Sequence, residues 1–295
     1  MSKKRPNPRA TRVRARRRAP VALITGASSG IGRELAKVFA ANGFDLIVVA
    51  RRREPLAELA KELARAHRSR VAVVPMDLTG AGAPRKLFDT VRRRGLAVEV
   101  LVNNAGVAVF DRFVDNDPGA QLDLVRLNVM VVTALTRLFV PTMVARGRGR
   151  VLNVASAAAF QPTPSLAVYG ASKAFVLSLS ESLAVELEGT GVTVTALCPG
   201  FTETPLVERA EEALEKPGLV PSILMLDAAA VAREGYEACM AGTPVCINGL
   251  PYELTVYWER LQPRWLVRRL GSLLSKRFQK TAPAPRKHSA KRRAG

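Results

Sequence analysis

Cysteine is nearly missing from this 295-residue chain: the three present, Cys198, Cys239 and Cys246, form no CxxC and no Cys/His cluster. An odd count at such spacing excludes a disulfide framework and a zinc site, and fits a reducing, cytoplasmic compartment. Cys198 lies in an apolar, strand-like run, as a small buried hydrophobe would. Histidine is rarer still. His67 falls at a helix end and His288 near the last residue, neither inside a motif, so no metal is expected. No apolar run reaches the roughly 20 residues that cross a bilayer, which predicts no spanning segment. The start does not read as a secretory or twin-arginine signal either. The apolar stretch after Arg16, Arg17 and Arg18 covers only residues 21–24, well short of an h-region of roughly 7–15 residues.

Acid is missing where base is dense. Residues 1–20 hold nine Lys/Arg and residues 276–295 hold eight, with no Asp or Glu in either stretch. The two ends therefore carry +17 of the formal +20, and the middle keeps +3. Dense like charge, with prolines in the first stretch, predicts disordered basic tails at 1–20 and 279–295. Neither carries interleaved aromatics or a DNA- or RNA-binding motif, so a specific nucleic-acid partner is not expected. A solvated polycation with nonspecific affinity for anionic lipid or nucleic acid is the simpler account.

Between the tails a rhythm runs. Short apolar runs at 21–25, 44–50, 71–74, 98–102, 151–154 and 192–197 alternate with helical spacing at 33–42, 54–67, 84–94 and from Tyr169 to about residue 187. Continuous β-branched runs indicate strands covered on both faces, and alternation with helices indicates βαβ units. The expectation is a single α/β domain over 21–250: a doubly wound Rossmann-type parallel sheet of about seven strands, the seventh at 245–248, with helices on both faces. Its ligand crevice would lie at the carboxyl ends of the strands.

The first strand runs into Thr25-Gly26-Ala27-Ser28-Ser29-Gly30-Ile31-Gly32 and then a helix. Glycines at 26, 30 and 32 give a GxxxGxG spacing instead of GxGxxG. The physics is shared: a tight turn, close backbone approach, and a helix N-terminus aimed at phosphate. No Gly-Lys-Ser/Thr follows, which excludes a P-loop. At the end of the second strand an NAD-binding protein usually places an acid for the ribose hydroxyl; here Ala50 is followed by Arg51, Arg52 and Arg53. Guanidinium groups suit a 2′-phosphate. Arginines capping a strand in solvent would look the same, but the missing carboxylate favours NADP(H).

Tyr169-Gly170-Ala171-Ser172-Lys173 places Tyr and Lys at i and i+4 on one helix face, where an ammonium can lower the tyrosine pKa and make it a proton donor or acceptor. Alone, the pair could be a chance surface contact. With the Gly-rich turn, Asn103-Asn104-Ala105-Gly106, Asn128, Ser156 and Pro199-Gly200, in that order and approximate spacing, the chain resembles the short-chain dehydrogenase/reductase family over roughly 21–250. The resemblance implies Tyr169 as general acid/base, Ser156 as hydrogen-bond donor to the same substrate oxygen, and Lys173 as holder of the nicotinamide ribose and depressor of the Tyr169 pKa. It implies Asn128 as anchor of a water in a proton relay. For the cofactor it implies Gly26, Ser28, Ser29, Gly30, Ile31 and Gly32 at the phosphates. Asp77 and Leu78 would flank the adenine with Asn104, Ala105 and Gly106 beneath it, while Thr202 and Thr204, after the cofactor-binding Pro199 and Gly200, would meet the carboxamide and phosphate side. The family commonly forms homo-oligomers.

Around that site Val107, Ala108, Val109, Phe110, Phe160, Leu206, Leu219, Val220, Ile223, Leu224 and Met225 predict an apolar wall and an apolar carbonyl or alcohol substrate. Some of them could instead cover the core. Residues 251–278 extend further, with Tyr257, Trp258, Leu261, Trp265, Leu266 and Leu270 interleaved with Arg260, Arg264, Arg268 and Arg269 and a break at Pro263. That pattern describes an amphipathic helical extension lying on an anionic membrane surface, or one packed on its own domain or on a second subunit. A different class of function is a membrane- or nucleic-acid-associated protein whose Rossmann domain senses NADP(H) without turnover. The intact Ser156, Tyr169 and Lys173 argue for the enzyme.

Overall fold

Strands that are β-branched on both faces can be buried only when layers cover the sheet from both sides. The computed structural model describes residues 19–110, 112–214, 218 and 220–275, and shows that arrangement. The chain passes through β1 (Val21–Thr25), α1 (Gly30–Ala41), β2 (Asp45–Ala50), α2 (Arg53–His67), β3 (Val71–Pro75) and α3 (Ala83–Arg93). Then β4 (Val98–Asn103) leads to α4 (Pro118–Val125), one π-helical stretch (Arg126–Val131) and α5 (Val132–Val144). β5 (Gly149–Val154), α6 (Ala167–Glu186) and β6 (Val192–Cys198) follow, then α7 (Pro205–Leu214), α8 (Ala228–Ala241) and β7 (Val245–Ile247). The described chain closes with α9 (Leu250–Leu261) and α10 (Arg264–Ser275), broken at Pro263 as expected.

The seven strands form one parallel sheet in the order β3-β2-β1-β4-β5-β6-β7. Two cores flank it. One joins Leu35, Phe39, Leu56, Leu59 and Val231 to one face; the other joins Leu87, Leu135, Phe139 and Met143 to the opposite face. Each fully buried side chain of this size contributes about 1.5–3 kcal/mol, so these layers fix the sheet and leave its carboxyl edge to the loops. The strand order reverses between β1 and β4, which opens a crevice there.

One expectation meets a correction. The helical run Pro118–Val144 is 27 residues long with a mean hydropathy of 1.6, enough by length and composition to cross a bilayer. Reading uninterrupted apolar runs missed it, because Asn128, Thr133, Thr136, Arg137 and Pro141 interrupt it. In the fold its α5 part buries Val132, Leu135, Phe139 and Met143, so it serves as a core helix. The basic tails lie almost wholly outside the described residues.

Candidate active site

The turn after β1 must carry a helix N-terminus to the sheet edge, and its side chains decide how close anything comes. Gly26 sits at φ +68°, and a Cβ there would lie 2.7 Å from Asn104 Nδ2. A Cβ on Gly32 would strike the same Asn104 amide and come to 2.5 Å from Gly26 O. Without those Cβ atoms, Asn104 Nδ2 donates to Thr25 O at 2.9 Å and to Gly26 O at 3.3 Å. The Thr25 hydroxyl in turn accepts from the backbone N–H of Asn104 and of Ala105, each at 3.0 Å. The ends of β1 and β4 are thus knitted into one floor. On the other side Thr204 closes on Gly30, whose Cβ would lie 2.9 Å from Thr204 Cγ2.

At the end of β2, Arg51 and Arg52 are exposed, and neither has a salt-bridge partner among the described residues. Asp77 accepts from the Thr79 hydroxyl at 2.7 Å and the Thr79 N–H at 2.9 Å. Those bonds, with the Arg51 charge as a smaller contribution, hold its carboxyl below the usual range. Asp77 is therefore an ionised turn residue within reach of the Arg51 charge.

Ser156 and Tyr169 meet where β5 ends and α6 begins. The Ser156 hydroxyl is near enough to Tyr169 to draw its pKa down, donates to Pro199 O at 3.5 Å and accepts from Ala158 N–H at 3.1 Å. One turn along α6, buried Lys173 donates from Nζ to Val154 O at 2.7 Å and stands 5.7 Å from the Tyr169 ring centroid. Gly106 leaves room for it: a Cβ there would lie 3.5 Å from Lys173 Nζ and 3.3 Å from Asn128 Oδ1. Burial lowers the Lys173 pKa to about 8. The expected depression of the Tyr169 pKa is not what this cofactor-free chain gives. Burial raises it, and the nearby Ser156 hydroxyl only partly offsets that. The reason is geometric: the ammonium is committed to the Val154 carbonyl while the phenol is buried.

Asn128 stands in the π-helical stretch, a local irregularity that often marks functional positions. It is 1% exposed. Its Oδ1 accepts from Val107 N–H at 3.0 Å, and its Nδ2 donates to Val107 O at 2.9 Å and Ser172 Oγ at 3.1 Å. In this arrangement it clamps the chain after Gly106, with its amide turned to protein groups.

A cavity of about 1140 Å³ joins these parts. All the sequence-predicted site residues line it except Gly32 and Asn128, which lie directly behind. Of the predicted apolar wall, Val107, Ala108, Phe110, Leu206, Val220 and Leu224 line the cavity, whereas Val109, Phe160, Ile223 and Met225 do not. Phe160 packs against the core near β6 instead, and Ile223 is 89% exposed. Leu219 lies outside the described residues. Sequence reasoning missed Tyr252. This cavity-lining residue of α9 accepts from Phe201 N–H at 3.1 Å and donates to Leu224 O at 2.7 Å. Its ring also fills the place a Cβ on Gly200 would take. The only signal was a tyrosine at the head of an extension, with no spacing to tie it to the site.

Residues 20–215 match the family described as short chain dehydrogenase. Sulfoacetaldehyde reductase 2 of Chromohalobacter salexigens is 39% identical over 191 residues, 62% of this chain and 73% of that one. The very-long-chain 3-oxoacyl-CoA reductase of Pyrenophora tritici-repentis is 32% identical over 253 residues, 84% of this chain and 71% of that one. Among solved structures, a short-chain dehydrogenase from Sphingobium yanoikuyae in complex with NADPH superposes with a TM-score of 0.74 at 30% identity, covering 90% of this chain and 99% of that one. With its sheet order, its Gly-rich first turn and its Ser156, Tyr169 and Lys173 on one wall, this chain belongs to the short-chain dehydrogenase/reductase family of oxidoreductases.

Proposed function

We propose that the protein is an NADP(H)-dependent oxidoreductase acting on an apolar carbonyl compound or the corresponding secondary alcohol, with Tyr169 as general acid/base. The observation that carries this reading is one cavity holding both the Ser156, Tyr169 and Lys173 wall and the glycine turn with Arg51 and Arg52. The residues fit a dinucleotide. The backbone of the turn at Gly26 and Gly30 lines the cavity at the N-terminus of α1, where free N–H groups suit phosphate. Beside it stand Arg51 and Arg52, two guanidinium groups without a salt-bridge partner among the described residues, which suit a 2′-phosphate. Solved relatives bound to NADPH, including the Sphingobium enzyme, support that choice.

When bound, the nicotinamide supplies or accepts the hydride. Tyr169 gives its hydroxyl proton to the carbonyl oxygen in reduction, or takes one from the alcohol in oxidation. Ser156 stands beside Tyr169 and is placed to hold the same oxygen. Lys173, cationic below about 8, stabilises the negative charge left on Tyr169 when its proton departs. Val107, Phe110, Leu206 and Leu224 exclude water and favour an apolar substrate. Relatives are named for substrates as different as sulfoacetaldehyde and very-long-chain 3-oxoacyl-CoA, so the apolar wall is the basis of this choice.

The first test is titration with NADPH and NADH, followed by turnover of apolar and small polar carbonyl compounds. NADPH should bind more tightly, and Arg51→Ala/Arg52→Ala should weaken it about 10- to 150-fold while leaving NADH unchanged. That is the worth of a hydrogen bond to a charged group. Equal affinity for the two cofactors in the unaltered protein would remove the NADP assignment. Faster turnover of small sugars than of apolar ketones would remove the substrate class.

The pH dependence has a definite sign. Burial keeps Tyr169 protonated through the neutral range, while Lys173 loses its charge as pH rises through about 8. The kcat/KM for reduction, which reports groups of the free enzyme, should be level below about 8 and fall above it. A decline that begins only above the ordinary tyrosine value, about 10, would assign the step to Tyr169 itself, whose pKa burial raises.

A further inference from the structure

A helix at the edge of a globular domain turns its apolar face inward, and α9 does the reverse. Leu250, Leu254, Tyr257, Trp258 and Leu261 fall within about 100° of arc at 3.6 residues per turn. They are 66, 60, 53, 46 and 82% exposed. The opposite side, inward, carries Tyr252, buried Val256 and Glu259, whose Oε2 is buried without a hydrogen-bond partner among the described residues. Trp265 continues the exposed apolar stripe into α10 at 57%. A contiguous patch of this kind marks an interaction surface.

Its flanks say what covers it. Arg264 and Arg268 are exposed beside Trp265, and residues 276–295 add eight Lys/Arg with no acid. Two copies meeting here would bring together chains of formal charge +20 each, whereas an anionic lipid surface matches both the apolar stripe and its basic border. From its inward side the same helix reaches the cavity wall. The Tyr252 hydroxyl ties the first turn of α9 to Leu224 at 2.7 Å, and beside cavity-lining Leu224 stands Ile223, 89% exposed.

We propose that the outward apolar face of α9, continued by Trp265 of α10, seats the protein on an anionic bilayer surface with the cavity mouth toward the lipid, so that apolar substrate enters from the bilayer. The docking stands on the patch and its charge alone; the entry of substrate rests on the function proposed above.

The full chain should co-float with vesicles of phosphatidylcholine and phosphatidylglycerol far better than with phosphatidylcholine alone. A Leu254→Glu/Trp258→Glu/Leu261→Glu variant, whose positions lie outside the cavity lining, should lose that binding about tenfold or more. It should bind NADPH and reduce a short water-soluble ketone as before. It should also lose the advantage the unaltered protein has on a long-chain ketone carried in the vesicles. No flotation of the unaltered protein overturns the docking. Undiminished flotation of the variant would assign binding to the basic tails and overturn it equally. A concentration-dependent dimer abolished by the variant, without vesicle binding, would make a second copy the occupant and overturn it. Vesicle binding with no advantage on the carried ketone overturns the orientation of the mouth. Flotation is read without turnover, so failure of the enzymatic reading would show as lost NADPH binding or as no turnover of the soluble ketone while flotation persists, and the carried-ketone arm is read only where the soluble ketone turns over.

Discussion

Tyr169→Phe should retain NADPH affinity within about twofold and lose turnover by about 10²–10⁴, the contribution of a positioned general acid/base. The phenyl ring keeps the shape that packs beside Ser156 and Lys173, and only the hydroxyl that Ser156 engages is removed. No other phenol supplies the proton. Tyr252, which also lines the cavity, has its oxygen committed to Phe201 N–H and Leu224 O. Binding titrations beside single-turnover reduction would check this. A variant that keeps near-normal turnover would place the proton donor elsewhere. A parent protein that binds NADPH yet turns over no carbonyl compound would favour the sensor.

Gly32→Ala should damage both the fold and the cofactor turn. The added Cβ meets the Asn104 amide and the Gly26 carbonyl at once, and both are held by bonds that join β1 to β4. Something must shift. Overpacking costs about 1–3 kcal/mol, and each Asn104 bond left unmade over a buried carbonyl adds about 1–3 kcal/mol. A loss of about 3–5 kcal/mol is expected, which in a domain of this size lowers Tm by about 10 °C, together with NADPH affinity. Gly43→Ala is the control, since nothing lies within 4 Å of its Cβ. It is open to strain from its φ of +82° but to no contact. An effect at Gly32 no larger than at Gly43 would mean that the Asn104 and Gly26 contacts give way without cost.

The sheet was legible because strands buried on both faces leave uninterrupted β-branched runs, and β7 could be placed to within a residue at its end. The floor of the site was legible too, since Gly26, Asn104, Ser156, Tyr169 and Lys173 lie in short motifs whose spacing local geometry enforces. What could not be read depends on distance in sequence. Tyr252 reaches the cavity from 52 positions past Gly200, and no local pattern encodes that meeting. The wall was half legible for a similar reason: in the irregular chain after β6, alternate side chains face cavity and solvent without a period, so Leu224 turns in and Ile223 turns out. The apolar and basic character of α9 and α10 was plain from composition, but which side faced the domain needed the fold.

The chain between Phe201 and Leu226 is closed at its neck. Leu226 N–H donates to Phe201 O at 2.8 Å, Glu203 N–H donates to Leu226 O at 3.0 Å, and the Tyr252 hydroxyl bridges Phe201 and Leu224. Whatever lies beyond the neck is a closed excursion whose two ends are already paid for. Lengthening such an excursion is cheap, about 0.6 kcal/mol for each doubling, and it leaves Ser156, Tyr169 and Lys173 where they are. This stretch is therefore an exchangeable cassette: selection can redraw the substrate wall in length and chemistry while the proton-transfer set and the sheet beneath it stay fixed.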